Sequence, residues 1–184
     1  MSRDLRREVS LLLKKISPVD KERFSQAICE QLIRSFTIRK PASVALYAAL
    51  PTEVSLDRLA LWCTEQKIPT AYPRMDQAAS SGMRFLEADP AHSYSWDKAS
   101  FGFSQPKNGE PEWRPSSLLD VVVVPGLIFG ESGERGGRGK GHYDRYLPSC
   151  PAFRVGVAFD IQVLQEVGQN PWAQAMHAIV TPTR

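Results

Sequence analysis

Apolar residues recur along the chain with two different periods, and the alternation between them predicts the architecture. Leu5, Val9, Leu12 and Ile16 fall at helical spacing, which predicts an amphipathic helix ending before Ser17-Pro18. Ser17 then caps a second helix that holds Pro18 in its first turn and presents Phe24, Ile28, Leu32 and Phe36 as an apolar stripe. SVALYAAL at 43–50 reads as a buried strand ended by Pro51, and Leu56, Leu59, Ala60 and Cys63 form the next helical face. IPTAYP reads as a short strand closed by Pro73, and MRFLEA at 83–88 as a weaker one. From Asp89 to Ser117 the chain is rich in Pro, Gly and Ser and reads as surface excursions able to line a site. LLDVVVVP at 118–125 is the clearest strand, since its unbroken apolar run suits a central position covered on both faces. A glycine-rich stretch follows it. After that the pattern predicts a helix over 142–147, a strand RVGVAF at 154–159, a helix over 161–167 and a last strand AIVT at 178–181.

Such alternation, with no internal repeat and no long linker, predicts a single α/β domain over residues 1–184. Its form is a three-layer sandwich with a mainly parallel central sheet flanked by helices. Composition narrows the function. A chain of 184 residues with 42% hydrophobic content is long and apolar enough for a proper core. Its 23 basic and 20 acidic side chains leave a net charge of +3, too even a balance for a general polyanion binder. Cys29, Cys63 and Cys150 are odd in number and form no C-x-x-C, so they read as reduced thiols with no disulfide frame and no zinc site. The N-terminal MSRDLRREVSLLLKK is charged on both sides of a very short apolar run, which fits neither a signal peptide nor a membrane span. A cytoplasmic protein is expected.

The stretch GESGERGGRGKGHYDRY at 130–146 carries the chemistry. In an open parallel sheet, ligands sit beyond the carboxyl ends of the strands, and the loop after Val124 emerges there. Gly136, Gly137, Gly139 and Gly141 allow close backbone approach to an anion, and the following helix adds unpaired N–H groups. Arg135, Arg138 and Lys140 supply charge-assisted hydrogen bonds to phosphate or carboxylate oxygens. Neither common nucleotide motif fits: Gly139-Lys140 is followed by Gly141 rather than Ser or Thr, and Gly137, Gly139 and Gly141 give G-x-G-x-G. The competing reading is a disordered, RGG-like tract that coats RNA. The apolar strand before it and HYDRYL at helical spacing after it count against that reading.

PGLIFGESGERGGRGKGHYDRYL closely resembles the signature of the 5-formyltetrahydrofolate cyclo-ligase (5,10-methenyltetrahydrofolate synthetase) family, P-G-x-x-F-D-x-x-G-x-R-L-G-x-G-x-G-Y-Y-D-x-x-L. The similarity extends to Leu5-Arg6, to ALYAALPTEVS with its Glu53, to YPRM and to the final IVTPT. The resemblance implies a fold like that of the NagB/RpiA/CoA-transferase-like proteins, ATP as co-substrate and Mg²⁺ as cofactor. The activity it implies is conversion of 5-formyltetrahydrofolate, with or without a polyglutamate tail, to 5,10-methenyltetrahydrofolate with release of ADP and phosphate through an imidate phosphate. It implies a monomer or weak homo-oligomer without nucleic-acid or membrane partners.

Carried over residue by residue, Arg138 and Lys140 are the expected catalytic cations. Arg3, Arg6, Arg135, Gly136, Gly137, Arg138, Gly139, Lys140, Gly141, His142 and Tyr143 are expected to bind ATP, and Asp144 the metal. Tyr47, Ala48, Glu53, Phe101, Arg138 and His142 are expected to bind folate. Outside the loop, each has an ordinary structural alternative: Arg6 solvated, Glu53 a helix cap, Tyr47 core, Phe101 a loop cover. The chain departs from the pattern at Gly130, Gly136 and His142, at Ser2 in place of a lysine with Arg3 beside it, and at Ala173 and His177 in place of aspartates. His142 either keeps the stacking and hydrogen bonding of the tyrosine it replaces or adds a pH dependence. Two other functions therefore stand beside the ligase: a catalytically impaired relative that binds folate or nucleotide, and RNA binding by the glycine-rich loop.

Overall fold

The structure, a computed structural model, describes residues 2–88, 96–98, 104–113, 119–167 and 174–184. Helix α1 spans Arg3–Lys15, and its first turn is capped by Ser2 Oγ, which accepts from the Leu5 N–H at 3.2 Å. The buried stripe is Val9 and Leu13 with Leu5 and Ile16 packed beside them, while Leu12 is 38% exposed. The stripe therefore runs through Leu13 rather than the expected Leu12. Three consecutive leucines leave the phase open in sequence, and the 3.6-residue repeat selects 5, 9, 13 and 16. Helix α2 spans Pro18–Ile38 with Ser17 Oγ accepting from Asp20 N–H at 3.0 Å, and it buries Ile28, Leu32 and Phe36. Helix α3, Asp57–Glu65, buries Leu59, Ala60 and Cys63.

The strands are β1 (Val44–Ala45), β2 (Thr70–Met75), β3 (Met83–Glu87), β4 (Trp96–Lys98), β5 (Ser104–Pro106), β6 (Val121–Pro125), β7 (Ile128–Gly130) and β8 (Arg135–Gly136). After helix α4 (His142–Tyr146) and a 3-10 turn at Leu147–Ser149 come β9 (Phe153–Val157), β10 (Val163–Leu164) and β11 (Ala178–Val180). Six strands form the main sheet in the order β11-β9-β6-β1-β2-β3, with every pairing parallel except β2 with β3. The unbroken apolar β6 sits inside this sheet as its composition predicts. Val121 and Val123 join the core with α1, α2 and α3, whereas Val122 and Val124 face the opposite core with Phe129 and Leu147. The sheet is thus covered on both faces by an α/β arrangement of three layers. The second cover is thin, built from α4, the 3-10 turn and a three-stranded sheet β10-β7-β8.

Three expectations are corrected. The strand over 43–50 pairs only at Val44–Ala45, with Leu46 N–H still donating to Ala71 O at 2.8 Å. Tyr47 and the residues after it then leave the ladder at the carboxyl end of the sheet. Pro73 does not close β2, which continues to Met75. Pro73 faces Phe85, whose carbonyl points away from β2 to accept from Trp113 N–H at 3.0 Å, so the ladder with β3 needs no donor from Pro73, and its missing N–H faces the β1 side, where pairing ends at Leu46. The helix expected over 161–167 is instead a 3-10 turn at Asp160–Gln162 followed by β10. Gln162, 2% exposed, accepts from Phe159 N–H and donates to Gly126 O and Leu127 O at 2.9–3.0 Å. Those bonds anchor the turn, and Val163 then pairs with Phe129 of β7. All three cysteines are buried and none forms a disulfide. No helix among the described residues is long and apolar enough to cross a membrane.

Candidate functional site

A cleft of about 290 Å³ opens at the carboxyl ends of β1, β2 and β6, the place where open parallel sheets bind ligands. One wall comes from Tyr47, Ala48 and Glu53 after β1, and the other from Arg135, Gly137, Arg138 and residues 140–144 after β6. The tract that reads in sequence as a loose glycine loop is folded here. Its first part pairs as β7 and β8, and its last part is α4. Between them Gly139 (φ +110°) and Gly141 (φ +66°) adopt left-handed backbone that side-chain-bearing residues rarely take.

Two ion pairs shape the cleft. Arg135 is nearly buried, its side chain 7% exposed, and Nη1 donates to Asp144 Oδ1 at 2.9 Å while Nε donates to Pro125 O at 2.8 Å. Its guanidinium also lies 5.1 Å from the centre of the Tyr143 ring. Burial pushes the Arg135 pKa down, opposed by the neighbouring Asp144. Across the cleft, Arg138 Nε donates to Glu53 Oε1 at 2.9 Å and Nη2 to Thr52 Oγ1 at 2.8 Å. Glu53 Oε2 accepts from Leu50 N–H at 3.0 Å, which fixes the carboxylate on the turn after β1. The expected Glu53 and Arg138 thus meet directly, a contact 85 residues apart in sequence.

Tyr47 is buried, and its hydroxyl donates to Val54 O at 2.8 Å. Desolvation raises its pKa well above the ordinary phenol value, with the Glu53 charge adding to the effect. Tyr143 is raised by the same burial, partly offset by Arg135. Both phenols therefore stay protonated donors. Among the described residues, Tyr143 Oη is buried without a hydrogen-bond partner, and so is Arg6 Nε. Arg6 Nη1 lies 3.5 Å from the point where a Cβ on Gly139 would stand, so α1 does reach the loop. Two orphaned donors beside a cationic loop suit an oxygen-rich ligand.

The remaining expected residues divide. Gly137, Lys140, Gly141, His142 and Asp144 line the cleft. Gly136 lies buried in β8, where its carbonyl accepts from Leu127 N–H at 2.8 Å. Arg3 is exposed on the first turn of α1, outside the cleft lining. Phe101 and Ala173 fall outside the described residues. His177 lines a separate groove with Glu131 and Arg184, and its Nδ1 accepts from Arg154 N–H at 2.9 Å. At Gly130, where the related motif has an aspartate, the Glu134 carboxylate occupies the space a side chain would fill. The sequence reading missed Thr52, Arg145 and the turn Ser81–Gly82, which packs against His142. The i,i+3 spacing of His142 and Arg145 on a helix was the available signal for Arg145.

Known proteins resemble this chain in sequence and fold. The profile of the 5-formyltetrahydrofolate cyclo-ligase family matches residues 1–182. The 5-formyltetrahydrofolate cyclo-ligase of Mycoplasma genitalium is 28% identical over 182 residues, covering 96% of this chain and 94% of its own. The mouse enzyme of the same name is 26% identical over 176 residues, covering 90% of this chain and 85% of its own. The solution structure of 5,10-methenyltetrahydrofolate synthetase from Aquifex aeolicus superposes with a TM-score of 0.83 at 26% identity, covering 98% of this chain and 89% of that one. With fold and near full-length sequence similarity in agreement, the chain belongs to the 5-formyltetrahydrofolate cyclo-ligase family.

Proposed function

We propose that this cleft converts 5-formyltetrahydrofolate and ATP to 5,10-methenyltetrahydrofolate, ADP and phosphate. The observation that carries the reading is the Arg138–Glu53 pair, which joins the cationic loop to the opposite wall inside one cleft. A formyl amide oxygen is a poor leaving group. Attack of that oxygen on the γ-phosphorus, with departure of ADP, turns it into phosphate. N10 then bonds to the formyl carbon, the carbon–oxygen bond to phosphate breaks, and N10 loses its proton. Such phosphoryl transfer depends on positioning and charge neutralisation. In this reading Arg138 and Lys140 neutralise the transferred group, and Arg6, Arg135, Tyr143 and the glycine backbone hold the triphosphate. Glu53 accepts hydrogen bonds from the pterin against Tyr47 and Ala48, and His142 borders both ligands. Arg3 is an outer electrostatic contributor only.

The acidic side chains suit Mg²⁺ delivered on the phosphates. Asp144 Oδ1 is engaged by Arg135, which leaves Oδ2 for a metal. No group of three or more His, Cys, Asp or Glu that could hold a metal ion occurs among the described residues. One carboxylate oxygen with phosphates and water is an ordinary magnesium environment. Bound there, the ion would neutralise phosphate charge. The proposal carries with it a single domain over 1–184, a monomer or weak homo-oligomer, and a cytoplasmic location consistent with three buried thiols outside any disulfide.

The test is to mix the purified chain with (6S)-5-formyltetrahydrofolate and Mg·ATP and to follow methenyltetrahydrofolate in the near ultraviolet together with ADP. Product and ADP forming one to one support the proposal. Folate binding without either product points to an impaired relative, and salt-sensitive RNA affinity in place of folate binding points to the RNA reading.

A further inference from the structure

His142 and Arg145 stand one turn apart on α4, and of the two only His142 lines the cleft. The Arg145 guanidinium is pinned from two sides. Its Nε donates to Ser81 O at 3.2 Å and its Nη1 donates to Lys140 O at 3.0 Å. Held this way, Nη2 comes to 3.2 Å from His142 Nδ1, and Ser81 O lies 3.2 Å from that same nitrogen. An arginine donates and never accepts. A proton on Nδ1 would donate to Ser81 O but would set donor against donor, beside a fixed cation, across the gap to Nη2. A bare Nδ1 instead lets the parallel Nε–H and Nη2–H of one guanidinium meet two acceptors side by side, Ser81 O and His142 Nδ1. Gly82 makes room for this, because a Cβ there would stand 2.7 Å from His142 Nδ1 and 2.9 Å from Cε1. The imidazole is therefore gripped along its Nδ1–Cε1 edge. Nε2 makes no hydrogen bond to the described residues.

We propose that Arg145 locks His142 in its Nε2–H tautomer, so that His142 serves the cleft as a one-way hydrogen-bond donor and Arg145 is its positioning residue. A tyrosine, the residue of the related motif, can turn its hydroxyl to donate or accept; a locked imidazole donates alone. The matching chemistry on the ligand is an oxygen acceptor, either a phosphate oxygen of ATP or a carbonyl oxygen of the formylfolate. That identification of ligands rests on the function proposed above, whereas the tautomer does not.

The test begins without ligand. Long-range ¹⁵N–¹H correlation spectra of the labelled full chain, taken where imidazoles are neutral, resolve its three histidines, and a His142→Gln sample assigns the signal of interest. The expected result is a protonated Nε2 and a bare Nδ1. In Arg145→Met the ratio of the two tautomers should shift about tenfold toward Nδ1–H, which then donates to Ser81 O. A parent protein protonated at Nδ1, or an unchanged ratio in folded Arg145→Met, overturns the lock. The parent spectrum decides this even where the variant does not fold. Titrations with ATP and with 5-formyltetrahydrofolate complete the test. His142→Gln, whose amide reaches the Nε2 position, should keep affinity within about threefold, while His142→Asn should lose about tenfold for the ligand that accepts the bond. Equal affinities of the Gln and Asn variants for both ligands overturn the donor role.

Discussion

Replacing Asp144 by alanine asks whether the Arg135–Asp144 pair holds the site together. Arg135 ties three pieces at once: it lies in β8, donates from Nε to the last residue of β6, and donates from Nη1 to α4. The alanine variant leaves that guanidinium, 7% exposed, without the carboxylate 2.9 Å away. Breaking a buried pair by removing one partner costs about 3–5 kcal/mol. Asp144 is 21% exposed, so water enters more readily than in a sealed core and the lower figure applies, about 3 kcal/mol. In a chain of this size that lowers Tm by about 6–12 °C. Thermal and urea unfolding without nucleotide measure it. Asp144→Asn keeps an oxygen for Arg135 Nη1 and should cost less than about 2 kcal/mol, yet it should lose much of the added stability that Mg·ATP gives the parent. An alanine variant within about 1 kcal/mol of the parent, the range of an exposed pair, would refute the assignment of the pair as an anchor.

Gly82→Ala should destabilise by about 1–2 kcal/mol, because φ of +74° disfavours any side chain and the new methyl meets His142; urea unfolding reads the loss. Gln162→Leu should cost about 2–4 kcal/mol by leaving Phe159 N–H unpaired and stripping donors from Gly126 O and Leu127 O. Stability should also fall in alkali. Burial pushes the Cys29 thiol up to about 11 and the Cys63 thiol up to about 12 from 9.0. Above pH 9 the unfolded chain therefore loses thiol protons that the folded chain keeps, so this contribution is complete below pH 9 and fades as pH rises toward 12. Urea titrations in reductant on either side of pH 9 check the sign, and a rise in stability would contradict it.

The parts of the fold legible in sequence were those where local pattern and tertiary packing agree. The Ser17-Pro18 start of α2 and the four-valine run of β6 belong to that class. Elements failed where a distant partner decided the outcome. Gln162 turns an apolar, helix-like stretch into a 3-10 turn through carbonyls 35 and 36 residues away. Pro73 stays in a strand because the β3 ladder needs no donor from it and pairing with β1 has ended at Leu46. In the cleft, residue identities at 135–144 were readable because glycines and cations cluster within a few positions. The pairing of Glu53 with Arg138 and the grip of Arg145 on His142 across Ser81–Gly82 were not readable, since neither leaves a local periodicity. Gly130 and Glu134 show the same limit: read singly, Gly130 is a lost carboxylate, whereas in space the Glu134 carboxylate fills its place.

The most direct test of the cleft as the reaction site compares ATP-dependent methenyltetrahydrofolate formation by the parent chain and by Arg138→Ala, with the melting temperature of each recorded. Arg138 is 37% exposed and, among the described residues, its side chain bonds only to side chains of the opposite wall, so its removal lets water reach Glu53 and should leave the fold intact. The account predicts turnover by the parent and at least about a hundredfold loss in the variant, measured below the melting temperature of both proteins because the variant leaves the Glu53 carboxylate unpaired. Equal turnover by the two proteins would contradict it.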